Sequence, residues 1–184
     1  MVDDALPVRL RAVIISATLI PAAVGLAAAA ASLGALKPQA LVLPTGPKGF
    51  SLTEGYAITD KAVAEDGHVP VATVRQWRRL GGYRVEFARG EDRVRSAAAV
   101  YGSVAGATSG FAAEGADAAR GLRRAPEPLV SLGHQTVYYE AKGERALVWR
   151  DHNVVAVLYS RGLSASDLAK LAHVQEARIQ RALR

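Results

Sequence analysis

The chain has 184 residues, 50% hydrophobic and 22% charged, with a formal net charge of +6, a composition that fits a folded domain and excludes a collagen-like or disordered chain. It holds no cysteine, which excludes a disulfide framework, a thiolate zinc site, an iron–sulfur cluster, a cysteine nucleophile and a lipidated cysteine. Eighteen arginines against five lysines, with abundant alanine, fit the coding bias of a GC-rich bacterial genome.

Met1 to Arg11 is short and polar, and Ala12 to Leu36 then runs 25 residues without a charged side chain before Lys37. Such a run reads as a signal peptide or a membrane-anchoring hydrophobic helix. As a helix it would reach roughly 37 Å, more than the ~30 Å hydrocarbon core of a bilayer. Arg9 and Arg11 before the run outweigh Lys37 after it, so the positive-inside rule puts Met1 in the cytoplasm and residue 38 onward outside. Cleavage, at A-x-A sequences such as Ala29 to Ala31, and retention as an anchor both remain open. Residues 1–37 are therefore expected as signal peptide or anchor, 38–55 as a Pro- and Gly-rich linker, and 56–184 as the domain. Gly46-Pro-Lys-Gly49 in the linker lacks the spacing of a phosphate loop.

From Tyr56 the periodicities alternate. Thr59 to Glu65 reads as a short helix with Thr59 or Asp60 as its cap, and Val71 to Leu80 as a second helix behind Pro70, stopped by Gly81-Gly82. Tyr83, Val85 and Phe87 alternate with polar residues as in a half-buried strand, which Gly90-Glu91-Asp92 turns into a second strand, Arg93 to Tyr101. Ser103 to Leu122 carries an apolar stripe at helical spacing despite glycines at 106, 110 and 115, which either cost stability or permit close packing on a sheet. Arg120, Arg123 and Arg124 suit the negative end of that helix. Leu129 to Leu132, Gln135 to Ala141, Arg145 to Arg150 and Val154 to Ser160 read as strands, with Lys142-Gly143 and Asp151-His152-Asn153 as hairpin turns. A last helix opens at the Ser164 to Asp167 cap. The expected fold is α+β, a two-layer antiparallel sheet with helices packed mainly on one face.

Several segments carry a resemblance: Gly49-Phe50 with Gly55-Tyr56, R-R-L-G-G-Y-R-V-E-F over 78–87, V-W-R-D-H-N-V-V over 148–155, and L-A-x-x-Q-x-A-R-I over 171–179. In these the chain resembles uncharacterised exported proteins of actinobacteria and related high-GC bacteria. The resemblance implies an extracytoplasmic location and transfers no functional residue. The element order is also similar to the Mog1/PsbP-like sandwich of accessory and binding proteins.

His68, His134, His152 and His173 are isolated in sequence, and His173 with Glu176 lacks the partners of H-E-x-x-H, so no metal or cofactor is expected. Gly102-Ser-Val-Ala-Gly106 has its serine one place early for a nucleophile elbow. Asp92, Glu144 and Asp151 fall in turns, which already account for them. Residues 38–184 hold 20 Lys plus Arg against 15 Asp plus Glu, a balance that favours anionic envelope ligands; the arginines are too scattered for nucleic acid. Tyr138, Tyr139, Trp149, Arg150 and His152 are the candidate ligand-binding set, although alternation must split it between two sheet faces. The expectation is a non-enzymatic extracytoplasmic binding domain whose partner is an envelope protein or an anionic envelope ligand. The alternatives are a structural spacer on the membrane, or an envelope hydrolase, which two histidines and an acid converging in a cleft would favour.

Overall fold

Three two-residue turns organise the molecule. Gly90-Glu91, Lys142-Gly143 and His152-Asn153 each close a hairpin, through the register pairs Arg89↔Asp92, Ala141↔Glu144 and Asp151↔Val154. Lys142 and Gly143 both sit at positive φ, the conformation whose twist matches a two-residue hairpin. The computed structural model describes residues 36–118 and 120–184; the leader expected over residues 1–37 lies outside them but for its last two residues. Strands β1 (Ser51–Ala57), β2 (Arg79–Arg89), β3 (Asp92–Tyr101), β4 (Arg123–Arg124), β5 (Gln135–Ala141), β6 (Glu144–Asp151) and β7 (Val154–Arg161) form one antiparallel sheet in the order β1-β2-β3-β7-β6-β5-β4. Two meanders, β1 to β3 and β4 to β7, are thus joined along the β3–β7 pair. The helices are α1 (Asp60–Asp66), α2 (Val71–Gln76), α3 (Val104–Ala118) and α4 (Ala165–Ala182). Among the described residues no helix is long and apolar enough to cross a membrane.

Alternation along the strands divides the core. On one face Val94, Trp149, Val154 and Leu158 meet Leu168, Ala172 and Ile179 of α4. On the other, Ala99, Tyr101, Val148 and Val155 meet Ala107 and Phe111 of α3, and Val63, Ala64 and Val74 of α1 and α2 pack beside them on Ala97. The class is α+β as expected, with three of the four helices on one face; α4 covers the other. Gly110 and Gly115 of α3 face the sheet and Gly106 faces the Trp77 carbonyl; a Cβ at Gly110 would overlap the Tyr101 hydroxyl. They permit close packing, the second of the two readings above.

The linker expected over 38–55 is largely domain. Leu41, Val42 and Leu43 are buried against the α4 face. The amide of Leu43 donates to Ser96 Oγ at 3.0 Å, and that hydroxyl donates to Gln175 Oε1 at 2.8 Å. Residues 51–57 then form edge strand β1. Helix α2 stops at Gln76 rather than Leu80, because the β2–β3 ladder extends back to Arg79↔Tyr101 and takes the Gly81-Gly82 pair into the sheet, tertiary pairing overriding local preference. Leu129 to Leu132 is not a strand. The last strand of the sheet is instead β4, Arg123-Arg124, paired with Tyr139 and Glu140, where the sequence suggested a helix end.

Candidate functional site

The site follows from hairpin register. A turn centred on Lys142-Gly143 pairs Gln135 with Arg150, so the residue before β5 stands opposite the last residue of β6. The amide of His134 accordingly donates to the Arg150 carbonyl at 2.8 Å. Gly133 makes this approach possible: its φ is +50°, and a Cβ there would lie 2.5 Å from the Arg150 carbonyl oxygen, a position that only glycine occupies without strain.

Asp151 closes β6 with its side chain turned inward and 7% exposed, and its Oδ1 lies 2.8 Å from Nδ1 of both His134 and His152. The two rings meet edge to face, with centroids 4.3 Å apart. Both imidazoles are accessible, at 50% and 60% exposure. Behind them Glu176 projects from α4 and is buried. Its Oε2 accepts from Trp149 Nε1 at 2.6 Å, and its Oε1 accepts from the Gly133 amide at 3.1 Å and Gln180 Nε2 at 3.0 Å. Burial raises the Glu176 carboxyl above its usual range and the neighbouring Asp151 adds to the rise, while the Trp149 and Gln180 donors oppose it. Among the described residues neither acid forms an ion pair with lysine or arginine; Asp151 has only the two histidines. The group opens onto a cavity of about 560 Å³ lined by Ser131, His134, Asp151, His152, Gln180 and Arg184 among others.

A second basin, about 300 Å³, lies on the α3 face between Arg84, Arg95, Glu114, Asp117 and Tyr159. Burial, then Asp117, push the Glu114 carboxyl up to about 7, against the pull of Arg84 and Arg79. Acids and bases around this basin largely answer one another, as in Arg95–Glu86 and Arg161–Glu144.

Of the five residues suggested by sequence, His152 lines the cavity. Trp149 is buried and reaches the site through Glu176, and Arg150 donates to the His152 carbonyl at 3.0 Å, bracing the turn. Tyr138 and Tyr139 are core residues on opposite faces, as alternation requires. His134, Asp151 and Glu176 were not in that set. The histidines, isolated in sequence, are not all isolated in space: register unites two of them. His173 stays exposed on α4 while Glu176 turns inward, so that pair does not form.

No protein-family model matches the chain, and no curated protein matches it. Among solved structures it is similar to the extracellular domain of PknH from Mycobacterium tuberculosis, with a TM-score of 0.54 and 9% identity, over 79% of this chain and 97% of that one. That is a likeness of fold, shared with an extracellular domain from an actinobacterium.

Proposed function

We propose that the chain is an extracytoplasmic binding domain, exported or anchored through residues 1–37, which takes its ligand at the cavity of His134, Asp151 and His152. The observation that carries the reading is two accessible imidazoles set against two buried acids that no lysine or arginine pairs with, at the mouth of an open cavity. Trp149, Gln180 and the Gly133 amide hold Glu176 by hydrogen bonds and the two imidazoles hold Asp151, so the acids fix the rings in place and leave their outer edges to a ligand. The outward location is supported by the charge-free run behind Arg9 and Arg11 and by the fold shared with an extracellular domain. The basic excess of residues 38–184 favours an envelope protein with an acidic surface or an anionic envelope ligand as partner.

The absence of cysteine makes location directly testable. A Glu91→Cys variant carries one thiol, in an exposed turn. A membrane-impermeant maleimide should label it in intact cells; labelling only after lysis would reject the extracytoplasmic reading. The convergence of two histidines with an acid also favours a second reading, an envelope hydrolase. Against it, neither imidazole hydrogen-bonds a hydroxyl group among the described residues, so no activated nucleophile is in place. Hydrolysis of simple esters or phosphoesters, abolished by His134→Ala, would establish it.

A further inference from the structure

We propose that His134, Asp151 and His152 form a binding site for a divalent transition-metal ion of the zinc type. The inference rests on the reading of their cavity as the ligand site and names what enters it. Donor chemistry comes first. Two imidazole nitrogens and one carboxylate oxygen suit zinc, nickel or copper, whereas magnesium and calcium take oxygen ligands.

Geometry follows. Zinc bonds nitrogen and oxygen at about 2.0–2.2 Å, so adjacent donors of a tetrahedral site stand roughly 3.4 Å apart. Here Asp151 Oδ1 is 2.8 Å from each Nδ1, and the three donor atoms lie within 4.8 Å of one another. Each imidazole therefore admits the ion beside Asp151 after moving out by about half an ångström, a distance within the rotation of an exposed ring. Asp151 need not move, and the core behind it is undisturbed. Three protein donors facing a cavity leave the fourth position open, as in zinc sites that take a water or a ligand.

The surroundings supply the remaining argument. Asp151 Oδ1 already draws both Nδ1 atoms to one point at the mouth of the cavity. Glu176, fixed by Trp149, Gln180 and the Gly133 amide, stands behind the site as an outer-shell carboxylate, the usual support of metal ligands. Gly133 fits the same account, because its positive φ and missing Cβ let the chain place His134 against Asp151.

The test is equilibrium dialysis of the full chain, freed of metal by chelation and held in detergent, against zinc ions at pH 7.5. Wild type should take up one equivalent, and cobalt substituted for zinc should show the visible absorption of a tetrahedral N/O site. His134→Ala and His152→Ala, both at exposed positions and checked for unchanged circular dichroism, should each weaken uptake at least about tenfold. His68→Ala and His173→Ala should leave it unchanged. No stoichiometric uptake by wild type, or uptake indifferent to His134→Ala and His152→Ala, overturns the metal site. Because maleimide labelling reads location independently, failed zinc uptake with outward labelling retained would remove the metal and leave the extracytoplasmic reading standing.

Discussion

Replacing Glu114 with glutamine separates the cost of a charge from the value of a side chain. Glu114 lies on α3 beside Asp117 over the α3 face of the sheet, and burial followed by Asp117 lifts its carboxyl from 4.5 to about 7. The folded chain therefore holds this proton while the unfolded chain releases it across the window from 4.5 to about 7. In that window the unfolded state binds fewer protons, so stability falls as pH rises. The stabilising contribution is complete below 4.5 and has gone once pH passes about 7. At 1.36 kcal/mol per pH unit the full difference is about 3 kcal/mol, an upper figure because the residue is partly exposed. Glutamine is neutral throughout and keeps the shape.

Urea unfolding of wild type and Glu114→Gln at intervals from pH 4.5 to 8 reads the effect, since every other titrating group is common to both chains. The variant should match wild type near pH 4.5 and exceed it by about 2–3 kcal/mol at pH 8. That gap corresponds to roughly 4–12 °C in Tm for a domain of this size. A stability difference constant across the range would refute the reasoning, because it would show that the Glu114 proton is the same in both states.

Gly133→Ala should destabilise the domain by more than about 1 kcal/mol, since alanine at φ +50° also presses on the Arg150 carbonyl; urea unfolding measures this, and zinc uptake should fall with it. Asp151→Asn removes one of two adjoining buried acids, so the domain should unfold at equal or higher urea, by up to about 2 kcal/mol. The same variant should lose zinc uptake at least about tenfold, and a loss of stability beyond about 1 kcal/mol would instead make Asp151 a structural residue.

The elements that could be read from the sequence were those in which local chemistry and packing agree. Gln135 to Ala141 is rich in β-branched and aromatic residues, ends in a Lys-Gly turn and forms β5 with those bounds, and Ser164 caps α4 by accepting from the Asp167 amide at 3.1 Å. Strand β1 gave no period-two signal because every residue in it is exposed, so burial imposes no alternation on an edge strand of this kind. The prolines around Leu41-Val42-Leu43 read as linker although the three apolar residues enter the core, a docking decided by the distant Ser96 and Gln175. The site itself could have been found. With Lys142-Gly143 as the turn, counting outward along the two strands sets residue 134 opposite residue 151, and neither histidine is then isolated. What the sequence does not carry is Glu176, whose approach depends on how α4 crosses the sheet.

Turn formation does not account for Asp151. The structural work of that hairpin falls to Asn153, which is buried, donates from Nδ2 to the Tyr101 carbonyl at 2.6 Å, and returns its own carbonyl to the Tyr101 amide at 2.9 Å. These bonds anchor the β6–β7 turn to β3 and leave Asp151 and His152 free of that duty. An aspartate serving a turn bonds a nearby backbone amide; this one holds two imidazoles on one oxygen and stands beside a second buried acid. Packing alone favours a neutral residue there. On the proposed reading Asp151 and His152 serve the ion they would hold, while Asn153 secures the turn to β3.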